Sequence, residues 1–126
     1  MNTDEKYLYE DLTDKIIKCF YEGYYTLGFG FLEKIYEKSL KIELESIGLK
    51  TEEQSPIKVF YKNISVGDYY ADILVEGDVI LEIKAAKAID ESHKAQLLNY
   101  LRATGIHRGL ILNFGTQKLG FKRMVY

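Results

Sequence analysis

Three charged residues, Asp72, Glu82 and Lys84, stand inside runs whose pattern is otherwise apolar. The run 69–75 (YYADILV) and the run 79–85 (VILEIKA) are rich in β-branched and aromatic residues, and Glu76-Gly77-Asp78 between them reads as a tight hairpin. Side chains alternate along a strand. Tyr69, Ala71, Ile73 and Val75 therefore share one face, with Tyr70, Asp72 and Leu74 on the other. In the second run Val79, Leu81, Ile83 and Ala85 oppose Ile80, Glu82 and Lys84. Both faces are mainly apolar, so the strands are expected to be covered on both sides. A three-residue loop sets Val75 opposite Val79 and Asp72 opposite Glu82, on one face.

Like charges placed so destabilise a sheet. Two carboxylates roughly 5 Å apart repel by about 3 kcal/mol at an effective dielectric near 20, and burial adds a desolvation cost. Protonation of one carboxyl would relieve the pair. So would Lys84, two residues along on the same face. So would a divalent cation, which takes hard oxygen ligands from one or two carboxylates and keeps waters. The cation accounts for all three residues together. A salt bridge at a sheet rim is the plainer alternative.

The elements that must position these residues follow from periodicity. Apolar residues at Leu8, Leu12, Ile16, Cys19 and Phe20 predict a helix over about 4–25. Gly28 and Gly30 break the chain, and a second helix is expected over about 32–47, stopped by Gly48. Its apolar stripe is Tyr36, Leu40, Leu44 and Ile47, and stepping back by three puts Glu33 on that stripe. Glu33 then reads either as a glutamate favoured by the helix dipole or as an inward-facing metal-site residue. A polar stretch with the only proline, Pro56, precedes a strand expected over 57–62, with a turn at Asn63. A third helix spans about 90–104, ended by Gly105. On it His93, Gln96 and Tyr100 share a face, and a buried Gln96 would need a hydrogen-bonding partner; an ordinary amphipathic helix with a half-buried histidine is the alternative. The run 108–114 is a buried strand reached by a crossover, and 121–126 an edge strand. The order α-α-β-β-β-α-β(-β) implies an α/β fold, a mixed sheet flanked by helices.

The 126 residues fit a single domain spanning 1–126. No apolar run approaches the roughly 20 residues of a membrane span, and the acidic N-terminus lacks a signal-peptide pattern. One cysteine, Cys19, excludes an internal disulfide and a cysteine-based zinc site, so a cytoplasmic location is expected. The net charge of −2 hides an asymmetry: residues 1–83 hold 9 Lys/Arg and 17 Asp/Glu, residues 84–126 hold 8 and 2. A basic C-terminal third suits a nucleic-acid face; scattered solvated lysines are the alternative.

Asp72 followed by Glu82-Ile83-Lys84 on the next strand resembles the D…(D/E)-X-K signature of the PD-(D/E)XK nuclease superfamily. Gly30-Phe31-Leu32-Glu33-Lys34-Ile35-Tyr36 resembles the motif that names the GxxExxY protein family, assigned to that superfamily. Gln96-Leu97-Leu98-Asn99-Tyr100 resembles the QxxxY helix motif of RecB-like exonucleases. The resemblance runs from about Asp11 to Tyr126 and departs at Ala71, where the superfamily name has proline. It implies a restriction-endonuclease-like core and a divalent-metal-dependent nuclease acting on DNA, or RNA. Asp72, Glu82 and the Ile83 carbonyl would hold Mg²⁺ or Mn²⁺, with Glu33 direct or through water. Lys84 would orient or deprotonate the attacking water, and Gln96 and Tyr100 would position the site or the strand. Lys87 and Arg102 join Tyr100 as candidate nucleic-acid contacts. Two other classes remain open. One is a nucleic-acid-binding module with little catalysis, served by tyrosine stacking and basic residues. The other is a protein-interaction domain or homodimer built on Tyr21, Tyr24 and Tyr25.

Overall fold

The computed structural model describes residues 3–115 and 119–126, with side chains from Asp11 onward. Leu8 of the first helical stripe lies outside the described side chains. The element order is α1 (Thr3–Leu27), α2 (Glu33–Ser46), β1 (Thr51–Tyr61), β2 (Ile64–Val75), β3 (Val79–Lys84), α3 (Glu91–Thr104), β4 (Arg108–Asn113) and β5 (Gly120–Val125). The five strands form one sheet in sequence order, parallel only between β3 and β4 and antiparallel elsewhere. The α/β, restriction-endonuclease-like arrangement expected from the sequence is the one observed.

Two apolar clusters sandwich the sheet. On one face Ile16, Phe20, Tyr36, Leu40 and Leu44 of α1 and α2 pack on Ile73, Val75, Leu81, Ile83 and Leu112. On the other, Leu97, Tyr100 and Leu101 of α3 pack on Ile57, Ala71, Ile80 and Ile111. The central strands β3 and β4 are therefore covered on both sides, which is why they read as continuous apolar runs. Cys19 is buried between the helices of the first face, where burial and then the charges of Glu43 and Glu22 push its thiol pKa up.

α3 has defined ends. Asp90 accepts from the His93 main chain at 3.1 Å, and the His93 ring accepts from the Asp90 main chain at 3.2 Å, a reciprocal cap. Gly105 closes the helix in the left-handed conformation, φ +74°. Gly109 on β4 lets α3 approach: a Cβ there would come within 2.8 Å of Leu97, itself fully buried.

Two strand boundaries differ from expectation. β1 starts at Thr51 rather than Ile57, and β2 at Ile64 rather than Tyr69. The added residues are polar or exposed because β1 is an edge strand with one face in solvent, and Pro56 is tolerated there for the same reason. Lys62 and Asn63 adopt positive φ (48° and 66°) in the two-residue turn between Tyr61 and Ile64.

Candidate functional site

The expected register holds: Val75 pairs with Val79, and the β2–β3 ladder continues through Ile73 and Leu81. It then stops at the position where Asp72 and Glu82 would pair. Asp72 takes over the ladder with its side chain, Oδ2 accepting from the Ile83 main-chain N–H at 2.7 Å. β2 continues on β1 alone and β3 continues on β4, so the strands part and a gap opens at the carboxylates.

A second irregularity aims Asp72. In the β1–β2 register Glu53 faces Ile73 and Ser55 faces Ala71, but Gln54 and Asp72 between them are unpaired, and Gln54 has φ +51°. Ala71 packs against α3 whereas Ile73 packs against α1 and α2. Simple alternation, which put Ala71 and Ile73 on one face, fails at this point. Asp72 sits at the change of face, directed across the gap.

Glu82 is 5% exposed, on the α3 face with Ile80. Burial first, and then the Asp72 charge, push its pKa up to about 9, while Lys84 pulls it down. Its Oε1 is buried and has no hydrogen-bond partner among the described residues. Buried acceptors are rarely left so. The orphaned oxygen beside a second carboxylate fits a hard cation, which would satisfy both. Two carboxylates suffice for a magnesium-like ion that keeps most of its waters; among the described residues no three acidic, histidine or cysteine side chains gather into a fuller ligand set. Ile83 supports the same reading. The Lys84 carbonyl accepts from Phe114 on the β4 side, so by strand alternation the Ile83 carbonyl, like its N–H, faces the gap.

Lys84 is half-buried at the end of β3, opposite Asn113. Asn113 is 2% exposed and fixes the segment after β3: its Oδ1 accepts from Ala86 and Gly115, and its Nδ2 donates to the Ala86 carbonyl. Gln96 and Tyr100 come from α3. Tyr100 is 7% exposed, and its phenol is pushed up to about 12 by burial and by the charges of Glu82, Tyr69 and Asp72, while a hydrogen bond from Gln96 lowers it. The glutamine and tyrosine therefore form a pair facing the carboxylates. Tyr100 is thus largely buried, yet with Gln96 it also lines an open groove beside α3. Lys87 is exposed in the segment before α3, and Arg102 is exposed on α3 with its guanidinium 5.4 Å from the Tyr126 ring centroid. His93 is occupied by the α3 cap.

Glu33 is not on the buried stripe. It is the first residue of α2 and is exposed. Helical side chains lean toward the N-terminus, so one in the first turn projects off the helix end. One turn on, Glu37 is the inward carboxylate, 4% exposed. It accepts from Lys34 at 2.8 Å and from Gln54 at 3.0 Å. Burial, a hydrogen bond to Glu53 and the Asp72 charge raise its pKa, and Lys34 lowers it. Tyr36 of the same motif is buried in the core. The Tyr36 hydroxyl donates to the Gly28 carbonyl at 2.6 Å and accepts from Phe31 at 3.3 Å, and its ring stacks on Phe114 at 4.2 Å. Sequence reasoning thus missed Glu37, Gln54 and Asn113. Only Asn113 carried a signal, as the one polar residue in the run 109–114.

Among the described residues no helix is long and apolar enough to cross a membrane. No curated protein matches the chain. A solved structure titled "Crystal structure of SSO0001" is similar at a TM-score of 0.54 and 18% identity, covering 73% of this chain and 48% of that one. The chain thus spans about half the length of that protein, and the likeness is one of fold. The sequence matches the PD-(D/E)XK nuclease superfamily over residues 10–124. With the Asp72 and Glu82-Ile83-Lys84 motif at the parting of two strands, the chain belongs to the PD-(D/E)XK nuclease superfamily.

Proposed function

We propose that the chain is a divalent-metal-dependent nuclease that hydrolyses phosphodiester bonds in DNA, with RNA as the second substrate class. The observation that carries this reading is the unpartnered, buried Oε1 of Glu82 beside the Asp72 carboxylate. Asp72, Glu82 and the Ile83 carbonyl would hold Mg²⁺ or Mn²⁺, which supplies Lewis acidity at a phosphoryl oxygen. Asp72 is held in place by the Ile83 N–H, so its second oxygen is oriented before any ligand arrives. The Lys84 ammonium, at the same end of β3, orients a water nucleophile and offsets the charge growing on the phosphate. Gln96 and Tyr100 hold the floor of the site. Glu33, exposed at the head of α2, is assigned a part through water only, and the GxxExxY subfamily assignment rests on its motif.

The test is cleavage of plasmid, linear duplex and single-stranded DNA, and of RNA, during titration with Mg²⁺ or Mn²⁺. Activity is expected to vanish with chelator and to fall by about 10²- to 10³-fold in Asp72→Asn, because the cation that offsets transition-state charge loses a ligand. Cleavage that survives Asp72→Asn would sink the assignment. A second reading, a binding module with little catalysis, draws on the two-carboxylate count; it predicts salt-sensitive binding with no cleavage in any metal.

A further inference from the structure

A groove of about 770 Å³ runs between the outer half of the β1–β2 hairpin and α3. Phe60 and Tyr69 line it from the hairpin, Gln96, Tyr100 and Arg102 from α3, with Lys58 at the rim. No Asp or Glu among the described residues lines it, although the chain as a whole is acidic. Its inner end is the Gln96–Tyr100 pair, and Tyr100 is the ring on which the Glu82 and Asp72 charges act. The carboxylates do not line the groove themselves; Tyr100, within electrostatic reach of both, stands between groove and site.

Two of its aromatic rings are open. Tyr69 lies 5.6 Å from Tyr100, tilted by 45°, and is still 49% exposed. Phe60 is 59% exposed, and a register shift between Val59 and Phe60 marks a bulge at this point. Bulges re-aim side chains. Lys58 is 3.5 Å from Asp68, both exposed. Such a pair is weak, so the lysine can be drawn to a stronger anion. Unpaired bases offer their faces to aromatic rings directly, whereas a duplex offers mainly groove edges and phosphates and must be partly unstacked before a ring can enter. The volume falls in the range of small-ligand pockets, roughly 300–1,000 Å³, which suits a nucleotide or two of one strand.

We infer that this groove takes a single nucleic-acid strand, with a base stacked on Tyr69 and phosphates on Lys58 and Arg102, leading toward Asp72 and Glu82. The inference rests on the nuclease reading for its purpose but not for its measurement. The full chain in chelator, where no cleavage occurs, is titrated with fluorescent oligothymidine and with a duplex of the same length. The single strand is expected to bind at least about tenfold tighter, with a log–log salt slope near −1.4 for two phosphate contacts at about −0.7 each. Tyr69→Ala should weaken it by about 5- to 100-fold, Tyr69→Phe should restore it, and Arg102→Ala should lower the slope. Phe60→Ala repeats the test at a more exposed position. Equal or tighter duplex binding, or oligothymidine affinity unchanged in Tyr69→Ala and Phe60→Ala, would overturn the inference. Metal-dependent cleavage is scored separately. Duplex cleavage indifferent to Tyr69 leaves the nuclease and removes the groove; Tyr69-dependent binding without cleavage in any metal leaves the groove and removes the nuclease.

Discussion

Burial and the neighbouring Asp72 raise the Glu82 carboxyl to about 9, so near neutral pH the metal-free protein carries it protonated. A raised folded-state value means that the folded chain binds the proton more tightly than the unfolded one. The stabilisation is fully present below the ordinary value of 4.5 and is lost as pH rises through about 9. Glu82→Gln removes that loss. Denaturant melts without metal should show the variant gaining on the parent as pH rises from 5 to 8, by at most roughly 3 kcal/mol at pH 7. Because a metal must displace the proton, Mn²⁺ affinity in the parent should rise with pH, by up to about tenfold per unit, toward the same value. Calorimetry in two buffers of different ionisation heat should show close to one proton released. Asp72 separates differently. Asp72→Asn keeps an acceptor for the Ile83 N–H and should lose metal without losing fold. Asp72→Ala strands that donor and should cost about 1–3 kcal/mol more. Asp72, Glu82 and Lys84 were legible because charges interrupt apolar alternation. Glu37 was not, since nothing in a list of helical glutamates tells which projects off the first turn and which lies against the sheet.

At the scale of elements, α3 is the helical part of the site. It carries Gln96 and Tyr100 and rests on β4 through the contact of Leu97 with Gly109. Gly109→Ala inserts a methyl group into a fully buried leucine, which overpacking should penalise by about 1–3 kcal/mol. The displaced helix should lower turnover more than metal affinity, because the added methyl meets Leu97 of α3, whereas Asp72 and Glu82 lie on the neighbouring strands β2 and β3. Steady-state kinetics beside Mn²⁺ titration separates the two. The ends of α3 were readable, Asp90 and Gly105 being cap residues by type. The starts of β1 and β2 were not, because an edge strand with a solvated face is as polar as a loop. The kink at Gln54 had no trace either: a positive φ at a glutamine is imposed by the register of two strands, not by the residue.

For the whole molecule, a ligand that binds only the folded chain must raise its stability. At a hundredfold excess over its dissociation constant, Mn²⁺ should add about 2.7 kcal/mol, a rise in melting temperature of several degrees for a chain of this size. The rise should be absent in Glu82→Gln and Asp72→Asn. A mixed sheet flanked by helices was expected from the succession of elements, and a crossover to the fourth strand from the helix before it, but not the order of the strands within the sheet. The groove was not, since Tyr69 and Phe60 read as ordinary strand residues until the bulge and the parting of β2 from β3 expose them. The lone thiol, Cys19, lies buried on α1, on the face of the sheet opposite that groove. It is therefore a built-in clock for breathing of the helical layer. A chromogenic disulfide reagent reacts with it only during opening, so one labelling trace with and without metal times how far tightening at the carboxylates reaches through the sheet.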